Sequence, residues 1–162
     1  MRVYLVQHGD ALPKEEDPDR PLSTTGRTEI EHLTALLQRS GVSAERGYHS
    51  GKTRARETAE ILAEGMLLGS APEARDGLGA KDPPEPIARE LDEAEQDLLI
   101  VSHLPFLGHL ASRLLTGRSE PVIVSYRPGT MACLERGQDG WSLQWMLRPE
   151  LLAVSGVGPI EL

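Results

Sequence analysis

Two short apolar runs, Val3-Tyr-Leu-Val6 and Leu98-Leu-Ile-Val101, each lead within two residues to a histidine, His8 and His103. Continuous aliphatic runs of this length read as strands buried on both faces, and such strands belong to parallel sheets covered by helices. Helical spacing fills the intervals. Ile30, Leu33, Leu36 and Leu37 share one face of a helix that opens near Ser23 to Gly26 and stops at Gly41. Ala55, Ala59 and Leu62 share a face of a second helix over residues 53–64, which Gly65 is expected to end. Residues 85–95 read as an acidic helix. Leu107, Leu110, Ala111 and Leu114 make another amphipathic, with Pro105 in its first turn.

Weaker signals complete the chain. Arg46-Gly-Tyr-His-Ser50 is a faint strand, and Val122–Val124 a short one. Thr130–Leu134 and Trp141–Leu147 predict a hairpin around Gly137-Gln-Asp-Gly140, with Trp141, Leu143, Trp145 and Leu147 alternating as a half-buried strand does. Residues 10–22 and 66–83 read as loops, and no element is assigned from Pro149 onward. Buried strands alternating with amphipathic helices predict an α/β fold. The expected architecture is one three-layer α/β/α domain over 1–162, with a mostly parallel sheet and helices on both faces.

A chain of 162 residues suits one domain burying roughly 70% of its unfolded surface. Its formal charge of −8 argues against nucleic acid or an anionic membrane as partner. Cys133 is alone, so there is no disulfide framework, and a reducing cytoplasm fits. No apolar run approaches the ~20 residues of a membrane span, and the first residues read as a strand rather than an export signal. A cytoplasmic monomer is expected.

In open α/β sheets ligands bind beyond the carboxyl ends of the strands, where His8, Ser50 and His103 would all sit. His8 is the expected nucleophile: a neutral imidazole can attack phosphorus through one ring nitrogen while the other N–H is held. Arg54, in the first turn of its helix, would add a planar fork to an anion-favouring helix terminus. Arg20 would join it, and a charged His103 would face the equatorial oxygens of a transferring phosphoryl group. Taken singly, each has a plainer role: Arg54 paired with Glu57 or Glu60, Arg20 with Asp17 or Asp19, His103 capping the next helix. Together, two histidines and two arginines at element ends form a phosphoryl-transfer set. His32 and His109 lie mid-helix, and His49 should face away from Ser50. A zinc site from His8, His49 and His103 lacks supporting Cys or i,i+4 His spacing, so no metal or other cofactor is expected. Lys52 and Arg56 are read as exposed.

At these residues the chain resembles the histidine phosphatase superfamily, phosphoglycerate mutase-like in fold, and within it the SixA-type phosphohistidine phosphatases. Val3-Tyr-Leu-Val-Gln-His8-Gly-Asp-Ala11 is similar to the family's opening strand and Arg-His-Gly-Asp-Ala loop. Arg20-Pro-Leu-Ser-Thr-Thr-Gly26 is similar to its Arg-Pro-Leu-Thr-x-x-Gly. Ser50-Gly-Lys-Thr-Arg54-Ala-Arg-Glu-Thr58 resembles its Ser-Pro-x-x-Arg-Ala-x-x-Thr. Val101-Ser-His103-Leu-Pro-Phe-Leu-Gly108 resembles Ile-Ser-His-Leu-Pro-Leu-Val-Gly. The resemblance implies a phospho-His8 intermediate, with Arg20, Arg54 and His103 in the phosphate pocket and Gln7, Gly9 and Ser50 as further substrate contacts. It also implies a phosphohistidine-bearing phosphorelay or phosphotransfer protein as partner.

One departure stands out: Gln7 occupies the place of the family's phosphate-contacting arginine. A neutral hydrogen bond is worth ~1 kcal/mol against ~1.5–3 for a charge-assisted one, so the rate is expected to fall roughly tenfold to a few hundredfold. Ester-cleaving relatives resemble one another in carrying an acid that protonates the leaving oxygen, commonly between the second arginine and the second histidine. That interval offers Asp76, Asp82 and Glu85, none in a recognisable acid motif. A phosphoramidate needs less help, because its imidazole leaving group protonates near pH 6.5. Three readings stay open: a phosphohistidine phosphatase, a small-molecule phosphomonoesterase on the same scaffold, or a phosphate-binding module weakened by Gln7. Asp10 is either a proton shuttle or a bond within its turn.

Overall fold

The computed structural model describes residues 1–152. Ten elements carry it: β1 (Arg2–Gln7), α1 (Thr24–Arg39), β2 (Arg46–His49), α2 (Thr53–Met66), β3 (Glu73–Ala74), α3 (Glu85–Glu93), β4 (Leu98–Ser102), α4 (Phe106–Thr116), β5 (Met131–Gly137) and β6 (Gly140–Leu147). A short 3-10 turn, Pro149–Leu151, follows. The sheet order is β3-β2-β4-β1-β5-β6. β1, β2, β3 and β4 run parallel, while β5 and β6 add an antiparallel hairpin on the β1 side. The expected three-layer α/β/α fold is present, and the sheet is mixed.

Alternation along β1 and β4 divides the core in two. Val3, Leu5 and Ile100 face α3 and α4, packing with Ile87, Leu91, Leu107 and Leu110. Tyr4, Val6, Leu99 and Val101 face α1 and α2, packing with Ile30, Leu33, Leu37, Ala59 and Leu62. Both faces of these strands are dry, which is why their sequence is a continuous apolar run rather than an alternating one. Ser23 opens α1, its hydroxyl accepting from the Gly26 N–H at 3.0 Å. A Cβ on Gly26 would lie 2.1 Å from the Asp10 carbonyl oxygen. Glycine alone lets the first turn of α1 press against the loop that follows β1.

Four expectations need correction. Gly65 does not end α2, which continues to Met66. A Cβ there would meet Thr34 of α1 at 2.6 Å, so the glycine serves close helix contact rather than termination. The 66–83 loop contains β3, which extends the sheet beside β2. Residues 122–124 form no strand: the Ile123 N–H donates to the Ser112 hydroxyl of α4, and Val122 and Ile123 are exposed. The alternation in β6 is broken by a bulge opposite Cys133/Leu134. Trp141 therefore packs with one core and Trp145 with the other, while Leu143 remains exposed. The hairpin itself forms as expected. Of the segment from Pro149 onward, residues 153–162 lie outside the described residues.

Candidate active site

β1 and β4 end opposite each other, Gln7 against Ser102, and their neighbour β2 ends one residue short, His49 against Val101, so His8, His103 and Ser50 gather at the carboxyl ends. The His8 N–H donates to the Ser102 carbonyl at 3.1 Å, tying the exits of β1 and β4 together. The two imidazole rings lie 4.9 Å apart between centroids, about one strand spacing, at 53° to each other. Sheet order brings these sequence-distant histidines into one pocket.

His8 is held in one tautomer. Its Nδ1 lies 2.7 Å from the Gly9 carbonyl oxygen. A carbonyl only accepts, so Nδ1 carries the proton and Nε2 keeps its lone pair. Burial is the main influence that pushes His8 down to about 4; the Gly9 carbonyl opposes it, and Arg54 and Arg20 add to the lowering. At neutral pH the ring is uncharged, with Nε2 available to a ligand. Gly9 is fixed in turn, its N–H donating to the Thr58 hydroxyl at 3.0 Å, while that hydroxyl donates to the Arg54 carbonyl at 2.7 Å. Thr58, fully buried, thus links α2 to the backbone that holds the His8 ring. The sequence reading gave it no role, although its place four residues after Arg54 was the available signal.

His103 is 4% exposed, and its Nε2 stands 2.6 Å from the Ser50 hydroxyl oxygen. Its Nδ1 is buried with no partner. Burial, followed by the charges of His8, Arg54, Lys52 and Arg20, pushes it down to about 3. An anion in the pocket reverses that balance, because an opposite charge nearby favours the protonated ring. Pro105, rather than His103, occupies the cap position of α4.

Both arginines are kept from carboxylates. The Arg20 Nε donates to the Leu12 carbonyl at 3.1 Å, which leaves its two terminal nitrogens for a ligand. Its φ of 48° is left-handed, a strained backbone that directs this side chain. Arg54 sits in the first turn of α2 with its Nε buried and unpartnered. The plainer pairings do not form: Glu57 bonds Arg27, and Glu60 bonds Arg56. A cleft of about 440 Å³ opens between the arginines, lined by Lys14, Pro18, Asp19, Arg20, Gly51, Lys52, Thr53 and Arg54. Lys52 and Lys14 at this cleft escaped the sequence reading, which treated Lys52 as merely exposed.

Gln7 is 8% exposed and its Oε1 is buried without a donor. Gly9 has both backbone groups engaged within the protein. The Asp10 carboxylate accepts from the Ser23 hydroxyl at 2.6 Å, a bond that ties the exit of β1 to the start of α1. Asp82 accepts from the Gly79 N–H, and Glu85 from Arg113 and Arg89. His49 accepts from the Gly51 N–H, and the His109 ring contacts the Ser119 carbonyl. Among the described residues no three His, Cys, Asp or Glu side chains converge as a cation site.

Residues 3–79 match the family model of the histidine phosphatase superfamily (branch 1). The phosphohistidine phosphatase SixA of Escherichia coli (strain K12) is 28% identical over 154 residues, covering 92% of this chain and 94% of that protein. An uncharacterised protein of Picosynechococcus sp. (strain ATCC 27264 / PCC 7002 / PR-6) is 36% identical over 126 residues, 74% of this chain and 76% of that one. The solved structure of the protein histidine phosphatase SixA with tungstate superposes with a TM-score of 0.80 at 27% identity, covering 94% of this chain and 99% of its own.

Proposed function

From the premise that this chain belongs to the histidine phosphatase superfamily, we propose that it removes phosphate from phosphohistidine on a protein, through a phospho-His8 intermediate. One observation carries the reading. His8 is neutral, with Nδ1–H held by Gly9 and Nε2 free, beside two arginines that no carboxylate neutralises among the described residues.

In the first step the His8 Nε2 lone pair forms a bond to phosphorus and the substrate's P–N bond breaks. The substrate imidazole leaves neutral once its second ring nitrogen has taken a proton from solvent. Arg20, Arg54 and a His103 that takes a proton from solvent as the anion binds hold the equatorial oxygens, where charge accumulates. In the second step water attacks phosphorus and the Nε2–P bond breaks. His8 departs as the neutral Nδ1–H tautomer, because that proton never leaves the Gly9 carbonyl. Both water protons stay with orthophosphate, which leaves as dihydrogen phosphate. The positive charge required comes from side chains, with no metal in the scheme.

The partner in this reading is a phosphorelay or phosphotransfer protein, met in the cytoplasm by a monomer. Among the described residues no helix is long and apolar enough to cross a membrane. An ester substrate is less well served. Of Asp76, Asp82 and Glu85, the last two have their carboxylates engaged elsewhere. Gln7 lowers the rate by adding no charge. The test compares phosphate release from a phosphohistidine peptide, a phosphoserine peptide and a sugar phosphate. Phosphohistidine turnover that vanishes in His8→Ala is expected; faster turnover of either ester would overturn the substrate assignment.

A further inference from the structure

This chain is acidic, and its arginines are mostly paired: Arg2, Arg27, Arg56, Arg75, Arg89, Arg113, Arg127 and Arg148 all meet carboxylates. The cleft between Arg20 and Arg54 gathers cations that are not paired. Lys14, Arg20, Lys52 and Arg54 line it together, Asp19 is the one carboxylate in its wall, and none of the four cations forms an ion pair among the described residues. Only three lysines occur in the whole chain, and two of them are here. A single phosphoryl group engages the arginine pair. Lys14 and Lys52, exposed at the rim, are then left over.

We infer that Lys14 and Lys52 form a second anion-binding subsite, which reads carboxylates flanking the phosphohistidine on the substrate protein. This rests on the phosphohistidine reading above and adds to it the substrate's local character. A protein is favoured over a small polyanion because Leu104, next to His103, is exposed together with Val122 and Ile123. Val122 packs over Gly108 in α4, the helix that His103 leads into. Exposed apolar side chains next to His103 and over α4 suit a folded partner rather than a bare phosphate compound. The lysines also answer a difficulty of net charge. A chain of charge −8 repels acidic partners at long range, while a local cluster acts within a Debye length of about 8 Å at physiological salt. Lys52 is close enough for its charge to act on His103.

The test uses two phosphohistidine peptides of equal length, one with Asp or Glu three and four residues on either side, the other with Ser and Gln there. The wild type is expected to favour the acidic peptide in kcat/KM by about tenfold at low salt, mainly through KM. That ratio should shrink as salt is added, fall to near one in Lys14→Gln/Lys52→Gln, and persist in Lys52→Arg. Equal use of both peptides by the wild type, or a ratio untouched by the double substitution, would overturn the subsite. The same two peptides binding to His8→Ala, followed by calorimetry, give the ratio without turnover. A preference there with no hydrolysis by wild type would sink the phosphatase reading and leave the subsite standing.

Discussion

Arginines and carboxylates occur on two sides of this molecule with opposite results. Between α3, α4 and the hairpin they saturate one another. Arg113 reaches both Glu85 and Asp92, Arg136 donates to the carbonyls of Leu91 and Ala94, and Trp141 donates to Asp92. At the ends of β1, β4 and β2 saturation is incomplete. Arg54 Nε, His103 Nδ1 and Gln7 Oε1 are buried without partners, and both histidines are pushed far below the usual imidazole range. Polar groups are normally satisfied when buried, and unsatisfied ones call for an explanation. The first region ties the fold together; the second holds its charge in reserve for a ligand.

The sharpest way to break this contrast is His8→Ala. Turnover should fall by roughly 10³-fold or more, since the nucleophile is gone, while the melting temperature holds or rises. Next comes Arg54→Ala, with an expected loss of about 10²–10³-fold in kcat from missing phosphoryl stabilisation, again without loss of stability. Gln7→Arg should act in the other direction, raising kcat/KM by about tenfold or more. A rate unmoved by that substitution would mean that the pocket already supplies the charge elsewhere.

Acid should expose the same reserve. His8 and His103 bind protons more weakly in the folded chain than in the unfolded one. The unfolded state therefore takes up more protons as pH falls below about 6.5, and stability declines between there and about pH 4. On the order of 2 kcal/mol per histidine should be lost between pH 7 and pH 5. Urea titration at the two pH values measures this, and His8→Ala should flatten the dependence. The smallest effect belongs to the saturated side: Arg113→Ala should lower the melting temperature by about 2–4 °C and leave turnover alone.

Much of the sheet could be read from β1 and β4, because burial on both faces leaves an unbroken apolar run. The four residues proposed for the site could be picked out as well: His8, Arg54 and His103 stand at element ends, and Arg20 lies in the loop between β1 and α1. What escaped depended on tertiary contact. Gly65 signals a helix stop locally, yet answers to Thr34 on another helix. Val122–Val124 has strand composition, but its backbone is satisfied in part by Ser112 of α4. The β6 bulge leaves no periodic trace, because Trp141 and Trp145 keep the even spacing of one strand face while facing different cores. Thr58 and Lys52 were visible as residues, but only the packing of α2 against the exit of β1 gives them work.

The central claim is that phosphate passes through His8. Rapid quench of the enzyme during turnover, followed by peptide mapping under alkaline conditions that preserve phosphohistidine, tests it directly. The account predicts an acid-labile phosphate on the peptide containing His8, longer lived in Arg54→Ala and absent in His8→Ala. Turnover with phosphate on no residue, or on a residue other than His8, would contradict it.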